Sequence, residues 1–370
     1  MSAEPFGGGP KRRIAIIFGG RSAEHEISVA SADSVLAALD PERYEVLAIG
    51  IDKEGRWHHV PQLPERTSAD ELPAVSGGEQ VVLSPERGDP ALVAEDGTRR
   101  EVDVVFPLLH GPYGEDGTIQ GMLELAGIPY VGAGVLASAV GMDKAIQKVL
   151  FRAAGLPLVA HEVVHDREWQ DDHEGVEARA AALGLPLFVK PATLGSSVGI
   201  TKVKEISGLA PAIEEALSYA RKALVEQGME GAREIECAVL GNDDPVASLP
   251  GEILPAGEFY DYRAKYLDVG TRLVVPAQLP PAVVDEVQRM AVAAFRAIDA
   301  AGMARVDFFL REPDELLLNE INTIPGFTSV SMYPRMWEAS GVSYPELVDR
   351  LVELAVERHE EERKRGRTLS

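Results

Sequence analysis

Residues 304–322, ARVDFFLREPDELLLNEIN, set polar side chains at alternate positions of otherwise apolar runs. Side chains on a strand repeat every two residues, so Arg305 and Asp307 share a face of one strand and Glu320 and Asn322 a face of the next, and once the strands pair all four lie on one face. The intervening EPDE, with Pro313 suited to a type I turn, folds the two runs into a hairpin. With a four-residue loop centred between residues 313 and 314, Asp307 faces Glu320 and Arg305 faces Asn322. Val306, Phe308, Leu310, Leu317 and Ile321 then turn to the opposite, core side. Two opposed carboxylates repel unless a cation lies between them. With the amide they make an all-oxygen donor set that suits Mg²⁺ and, through it, a phosphate. The plainer alternative is a solvated face with an Arg–Asp ion pair, and an odd-length loop would break the register. The hairpin runs on into TIPGFTSVSMYP, where a glycine lets a ligand approach the backbone.

A second segment, LFVKPATLGSSVGI at residues 187–200, ends an apolar strand on Lys190 and continues through glycines and serines. Backbone N–H groups and hydroxyls of such a loop wrap phosphate oxygens, while lysine adds a point charge. Lys144, in GMDKAIQ, is a further cation. Isolated lysines near a glycine loop and an Mg²⁺-type hairpin point to a nucleoside triphosphate. Two other motifs mislead. HEVVH at 161–165 spells a zinc-protease pattern, which requires a helix. Here it follows a Gly-Leu-Pro stop and is flanked by valines, so it reads as a strand with Glu162 turned away from both histidines. GAGVLA at 132–137 resembles a dinucleotide turn but lacks the acidic ribose partner and reads as a helix start. With no Gly-Lys dipeptide, a Walker A loop is excluded.

These residues need a scaffold of alternating elements. RRIAIIFGG is a buried-type strand, and a helix with Ser22 as N-cap and Glu24 and Glu26 in its first turn follows. YEVLAIGID and EVDVVFPLLHG are further strands, and a helix closed by Gly127 comes next. The alternation predicts a parallel α/β domain over residues 12–133, with 61–100 an irregular or hairpin insertion. One long helix ending at Gly155 is expected within 130–157. Strands at 157–166 and 185–192, strand GITKV and a helix over 205–222 complete a second lobe, 134–212. The third, 213–358, holds further strands, a polar irregular stretch at 256–272, a helix over 281–300 and the hairpin. The first residues read as a disordered lead-in and the last ten as a frayed charged tail.

Bulk properties narrow the function. The chain has 36 Lys and Arg against 59 Asp and Glu, a formal charge of −23. Such a surface repels nucleic acid and anionic lipid. No apolar run spans a bilayer and the N-terminus lacks a secretory h-region, which leaves the cytosol as the expected compartment. The single cysteine, Cys237, rules out an internal disulfide and reads as a buried small hydrophobe.

Taken in order, GGRSAEHEISVASA, LLHGPYGEDGTIQG, GMDK, VKPATLGSSVGI, VEQ, REIECAVLG, FYDYRAKY, ARVDFFL and NEINTIPGFTSVSMYP resemble the D-alanine–D-alanine ligases of the ATP-grasp superfamily. The resemblance runs from about residue 12 to 355. It implies a Rossmann-like N-terminal domain followed by a two-lobed ATP-grasp fold, α/β overall and α+β in the grasp lobes. It also implies ATP as co-substrate, with two Mg²⁺ ions, or Mn²⁺, on Asp307, Glu320 and Asn322. Lys144 and Lys190 match the phosphate-contacting lysines, and Ser196, Ser197 and Gly199 lie in the phosphate loop. Glu226 matches the adenine contact at the hinge and Glu234 the ribose-binding carboxylate. Glu24 matches the site of the first substrate's ammonium, with His110 nearby. Arg305 and the Gly326 N–H match the oxyanion pair, and Ser331 and the Met332 backbone the site of the second carboxylate. The segment EFYDYRAKYLDVG matches a closing loop, in which Lys265 reaches the phosphate and Tyr266 meets Ser196. Ester-forming relatives replace that tyrosine, typically with histidine, so Tyr266 favours a dipeptide product. Thr193 and Leu194 depart from the more polar residues often found there, which bears on lid mobility. The family is commonly dimeric through its N-terminal lobe. The competing readings are a ligase with D-lactate or D-serine as acceptor, and a non-catalytic nucleotide-binding protein. The latter predicts losses among Asp307, Glu320, Asn322 and Arg305, and all four are present.

Overall fold

The computed structural model describes residues 10–64, 73–84, 86, 90–195, 198–254, 271–311 and 315–366. The expected lead-in at residues 1–9, most of the 256–272 stretch and the first three residues of the EPDE turn, 312–314, lie outside them, as do residues 367–370. Three sheets organise the chain. In the first, β1 (Arg12–Gly19) pairs in parallel with β2 (Tyr44–Ile51) and with β7 (Val104–Pro107). Beyond β2 the sheet continues antiparallel through β3 (Trp57–His59), β4 (Glu79–Leu83), β5 (Ala91–Ala94) and β6 (Arg99–Glu101). The expected parallel sheet is therefore mixed, because the 61–100 insertion extends it instead of lying outside it. β1 and β7 are buried apolar runs, as a strand covered on both faces requires.

The helix after β1, α1 (His25–Ala38), begins later than expected. Ser22 folds its hydroxyl back to accept from Glu24 N at 3.2 Å, which makes a turn and leaves Glu24 in the N-cap position. α2 (Thr118–Ala126) closes at Gly127 with φ 68°, the left-handed C-cap that glycine favours. The single long helix expected next is broken into α3 (Val135–Met142) and α4 (Lys144–Ala153). Asp143 breaks it: its carboxylate accepts from Ala145 N and Ile146 N, a local alternative that outcompetes helix continuation.

The second sheet, all antiparallel, runs β10–β9–β11–β8: β8 (His161–His165), β9 (Leu187–Pro191), β10 (Thr201–Val203) and β11 (Lys222–Gln227). α5 (Asp166–Asp171), α6 (His173–Ala181) and α7 (Leu209–Tyr219) accompany it. A split at residue 212 would fall inside α7, whose Ala212, Ile213 and Ala216 fill the core beneath β9 and β11. A start at residue 134 also fails, because Ala137 and Phe151 of α3 and α4 pack in the core of the third sheet. The middle lobe thus spans 161–227.

The third sheet holds β12 (Arg233–Gly241), β13 (Val246–Ala247), β14 (Gly251–Leu254), β15 (Arg272–Val274), β16 (Gly302–Arg311) and β17 (Glu315–Asn322). α8 (Pro281–Ala297) covers one face. α9 (Met332–Ala339) and α10 (Tyr344–Gly366) cover the other and join it to the first sheet in one continuous core. The last helix runs on through Gly366, so the tail is helical further than expected. Among the described residues no helix is long and apolar enough to cross a membrane.

Candidate active site

The hairpin register is the centre of the site. Arg305 pairs with Asn322 and Asp307 with Glu320, as the sequence predicts. Beyond Asp307 the register shifts by one at a β-bulge, so Phe308 pairs with Leu318. The strands end at Arg311 and Glu315 with three residues between them, an odd spacing that the bulge absorbs. Its extra residue, Asn319, flips the outer half of β17. Leu316 and Leu318 enter the core and Leu317 does not, which reverses the expectation for Leu317.

Arg305, Asp307, Glu320 and Asn322 face a cleft of about 1800 Å³ between the three sheets. Arg305 donates to both oxygens of Asp307, Nε and Nη2 each at 2.7 Å, and lies 3.2 Å from Glu236. Asn322 Nδ2 donates to Asp307 Oδ2 at 3.0 Å. Lys144 Nζ lies 3.2 Å from Glu320 Oε2 and donates to the Leu194 carbonyl at 3.0 Å. The Leu194 contact uses the backbone, so the apolar side chain there leaves it intact. The Arg–Asp pair of the plainer reading therefore exists, and it stands on the wall of a cleft instead of in bulk solvent. Burial opposes the Arg305 charge, but Asp307 and Glu236 hold its pKa well above the usual value. Among the described residues no three His, Cys, Asp or Glu side chains cluster as a metal site. The hairpin instead offers two carboxylates and an amide, hard oxygen donors whose aligned faces fit Mg²⁺.

Opposite the hairpin, Lys190 ends β9 with Nζ 2.5 Å from Glu226 Oε2. Lys148, which the sequence reading passed over, approaches Glu226 Oε1 at 2.5 Å from α4. Burial pushes Glu226 upward, yet Lys148 and Lys190 more than offset it and bring its pKa to about 2. Glu234 lines the same cleft from β12.

At the far end, the carboxyl ends of β1 and β7 deliver the substrate-side residues, the usual ligand position in a parallel sheet. Ser28 ties them together by accepting from Gly19 N at 2.8 Å and donating to Leu108 O at 2.6 Å. Glu24 and His110 are buried beside this tie. His110 Nδ1 lies 3.1 Å from the Ile324 carbonyl, so that nitrogen carries the hydrogen. Burial lowers its pKa, the ring stays neutral, and Nε2 is a buried acceptor with no protein partner among the described residues. Glu115, also unforeseen, accepts from Gly111 N at 2.7 Å. Desolvation and then the Glu24 charge raise its carboxyl to about 8. The signal for it was the short spacing from His110 in HGPYGE.

The floor is the loop after β17. Phe327 anchors it against Phe106, Tyr333 and Tyr344, and accepts from Tyr344 Oη through its carbonyl at 2.6 Å. A Cβ on Gly326 would lie 3.3 Å from Ser331 Oγ, so glycine serves the packing here as well as any ligand. Ser331 and Met332 open α9 toward the cleft, where the first N–H groups of a helix lack internal partners. Every predicted site residue within the described chain lines this cleft. Ser196, Ser197, Lys265 and Tyr266 lie outside the described residues. Gly195 is described, and a Cβ there would sit 3.8 Å from Glu24 Oε2, so the glycine-serine segment passes beside Glu24. Glu236 was also missed, although REIEC alternates it with Glu234 on one face. HEVVH is strand β8 as expected: His161 contacts Val159 O and Arg152, and Glu162 pairs with Arg179. Cys237 is fully buried, which pushes its thiol up to about 12.

A mixed-sheet domain with a parallel centre, a small antiparallel lobe and a larger lobe carrying acids opposite lysines together define an ATP-grasp protein. Family models described as the D-ala D-ala ligase N-terminus and C-terminus match residues 13–133 and 150–353. The D-alanine–D-alanine ligase of Streptomyces coelicolor is 54% identical over 94% of this chain and 93% of its own. That of Heliobacterium modesticaldum is 50% identical over 96% and 97%. The solved D-alanine–D-alanine ligase of Coxiella burnetii superposes with a TM-score of 0.84 at 40% identity, over 97% of both chains. VanG D-Ala:D-Ser ligase from Enterococcus faecalis gives 0.81 at 36%, over 94% and 100%. This chain belongs to the D-alanine–D-alanine ligase family.

Proposed function

We propose that the chain joins two molecules of D-alanine into D-alanyl-D-alanine, consuming ATP, as a cytoplasmic step that supplies peptidoglycan synthesis. The observation that carries this reading is the convergence of Arg305, Asp307, Glu320 and Asn322 on one cleft wall opposite Lys144 and Lys190. Relatives 50% and 54% identical are named for a D-alanine acceptor. The D-Ser ligase is more distant at 36%, so a D-serine or D-lactate acceptor is not favoured.

Asp307, Glu320 and Asn322 would hold two divalent ions, Mg²⁺ or Mn²⁺, which neutralise phosphate charge when bound. Lys144, beside Glu320, and Lys190, beside Glu226, steady the phosphates by charge. Glu226 and Glu234 take the nucleobase and the ribose. Glu24 takes the first D-alanine's ammonium, and its carboxylate oxygen attacks the γ-phosphorus. ADP leaves and an acyl phosphate remains. The second D-alanine's amine then attacks that carbonyl and releases phosphate. Arg305 and Gly326 N–H face the oxyanion formed in this step. Nε2 of His110, a bare acceptor, steadies a substrate N–H. Ser331 and Met332 N–H hold the second carboxylate. For Lys265, Tyr266, Ser196 and Ser197, which lie outside the described residues, the phosphate and substrate roles that the resemblance implies are part of this proposal. A homodimer is also proposed, and sedimentation should return twice the 39.8 kDa chain mass.

Incubation with ATP, Mg²⁺ and D-alanine should release phosphate in step with dipeptide. Phosphate release that does not depend on D-alanine would overturn the reading.

A further inference from the structure

Lys148 has no part in the reaction just described, yet it is among the largest fully buried side chains. Its Nζ reaches Glu226 Oε1 at 2.5 Å and the Asn319 carbonyl at 3.2 Å. Glu226 belongs to the middle sheet and Asn319 to the large one, so a single ammonium touches both walls of the cleft. Burying a lysine is costly, and simple filling of this space would be served as well by an apolar residue. Asn319 is the extra residue of the bulge. Its Oδ1 is buried with no hydrogen-bond partner among the described residues, and the residue lines the same cleft as Phe188, Met229 and Phe309. Apolar and aromatic walls suit a flat heterocycle, and two acceptor residues that meet at one ammonium suit a group with two N–H bonds.

We propose that Lys148 is a positioning residue that aims Glu226 and Asn319 as paired acceptors for the exocyclic amine of the nucleobase. The site then selects amino-purines over oxo-purines. Lys148 also keeps Glu226 ionised when phosphate draws Lys190 away, and an ionised carboxylate cannot donate to the O6 of an oxo-purine. The inference rests on the reading of Glu226 as a nucleobase contact.

The test compares kcat/KM for ATP and inosine triphosphate in D-alanine-dependent phosphate release. The native protein should favour ATP by at least about 100-fold, as expected where a mismatch strands a buried polar group. Lys148→Met should cut that preference about tenfold or more, acting more on the nucleotide KM than on kcat. Lys148→Arg should restore part of it, and the D-alanine KM should move less than about twofold. A native preference left intact in Lys148→Met would overturn the positioning role while leaving the nucleotide site standing. A native protein that uses both nucleotides equally would overturn the reading of Glu226 and this inference with it. Should Lys148→Met fail to fold, Asn319→Leu decides, since it leaves the ion pair in place. A preference reduced about tenfold supports the proposal, and an unchanged one contradicts it.

Discussion

The two ends of the cleft handle charge in opposite ways. At the end formed by the hairpin and the middle sheet, carboxylates sit against resident cations: Asp307 on Arg305, Glu320 near Lys144, and Glu226 between Lys148 and Lys190. At the end beside β1 and β7, Glu24 and Glu115 lie by a neutral histidine, and burial, reinforced by the Glu24 charge, raises the Glu115 carboxyl to about 8. A polyphosphate suits the first arrangement and an ammonium the second. Binding specificity is thus already written in how each end satisfies its acids before any ligand arrives.

The contrast can be broken at its strongest point first. Arg305→Met removes the proposed oxyanion donor and leaves Asp307 without its fork, and should lower kcat by about 10²–10³-fold or more. Glu320→Gln should likewise cost orders of magnitude in turnover while the fold is kept. Circular dichroism and phosphate release read both variants. Activity with Mg²⁺ unchanged in Glu320→Gln would refute the metal assignment.

At the other end the prediction concerns protons. An incoming ammonium favours the Glu115 carboxylate over its acid form, so below about pH 8 binding must release a proton. The D-alanine KM should therefore fall as pH rises from 6 to 8 and then level. Calorimetry in buffers of different ionisation heat should register the released proton, and Glu115→Gln should abolish it. A pH-independent KM in the native protein would contradict this.

A smaller effect is expected behind the site. Ser28→Ala strands Gly19 N and Leu108 O in a buried setting and should cost about 1–3 kcal/mol, read as a lowered melting temperature. The smallest belongs to the misleading motif: His161→Ala should change activity less than about threefold, and chelating zinc should change nothing.

How far the sequence reaches follows the same divide. Alternation along β16 and β17 made the acid face legible, because a period of two is strict within a strand. It could not show the bulge, since one inserted residue leaves no mark in composition, and so Leu317 was assigned to the wrong side. Asp143 broke a helix whose apolar pattern ran on regardless, because a side-chain cap competes locally with propensity. Lys148 and Glu115 escaped notice for a different reason. Their importance comes from partners far along the chain, Glu226 and Glu24; HGPYGE sets Glu115 close to His110, but no spacing encodes the meeting with either partner. The middle lobe's limits were missed likewise, since β11 rejoins β8 and β9 only in three dimensions.

The central claim is that this cleft activates a carboxylate by moving a phosphoryl group onto it. D-alanine labelled with ¹⁸O in its carboxylate tests this directly through the mass of the released phosphate. One labelled oxygen per phosphate is predicted, because the attacking oxygen stays on phosphorus when the amine displaces it. Phosphate free of label, formed alongside dipeptide, would contradict the account.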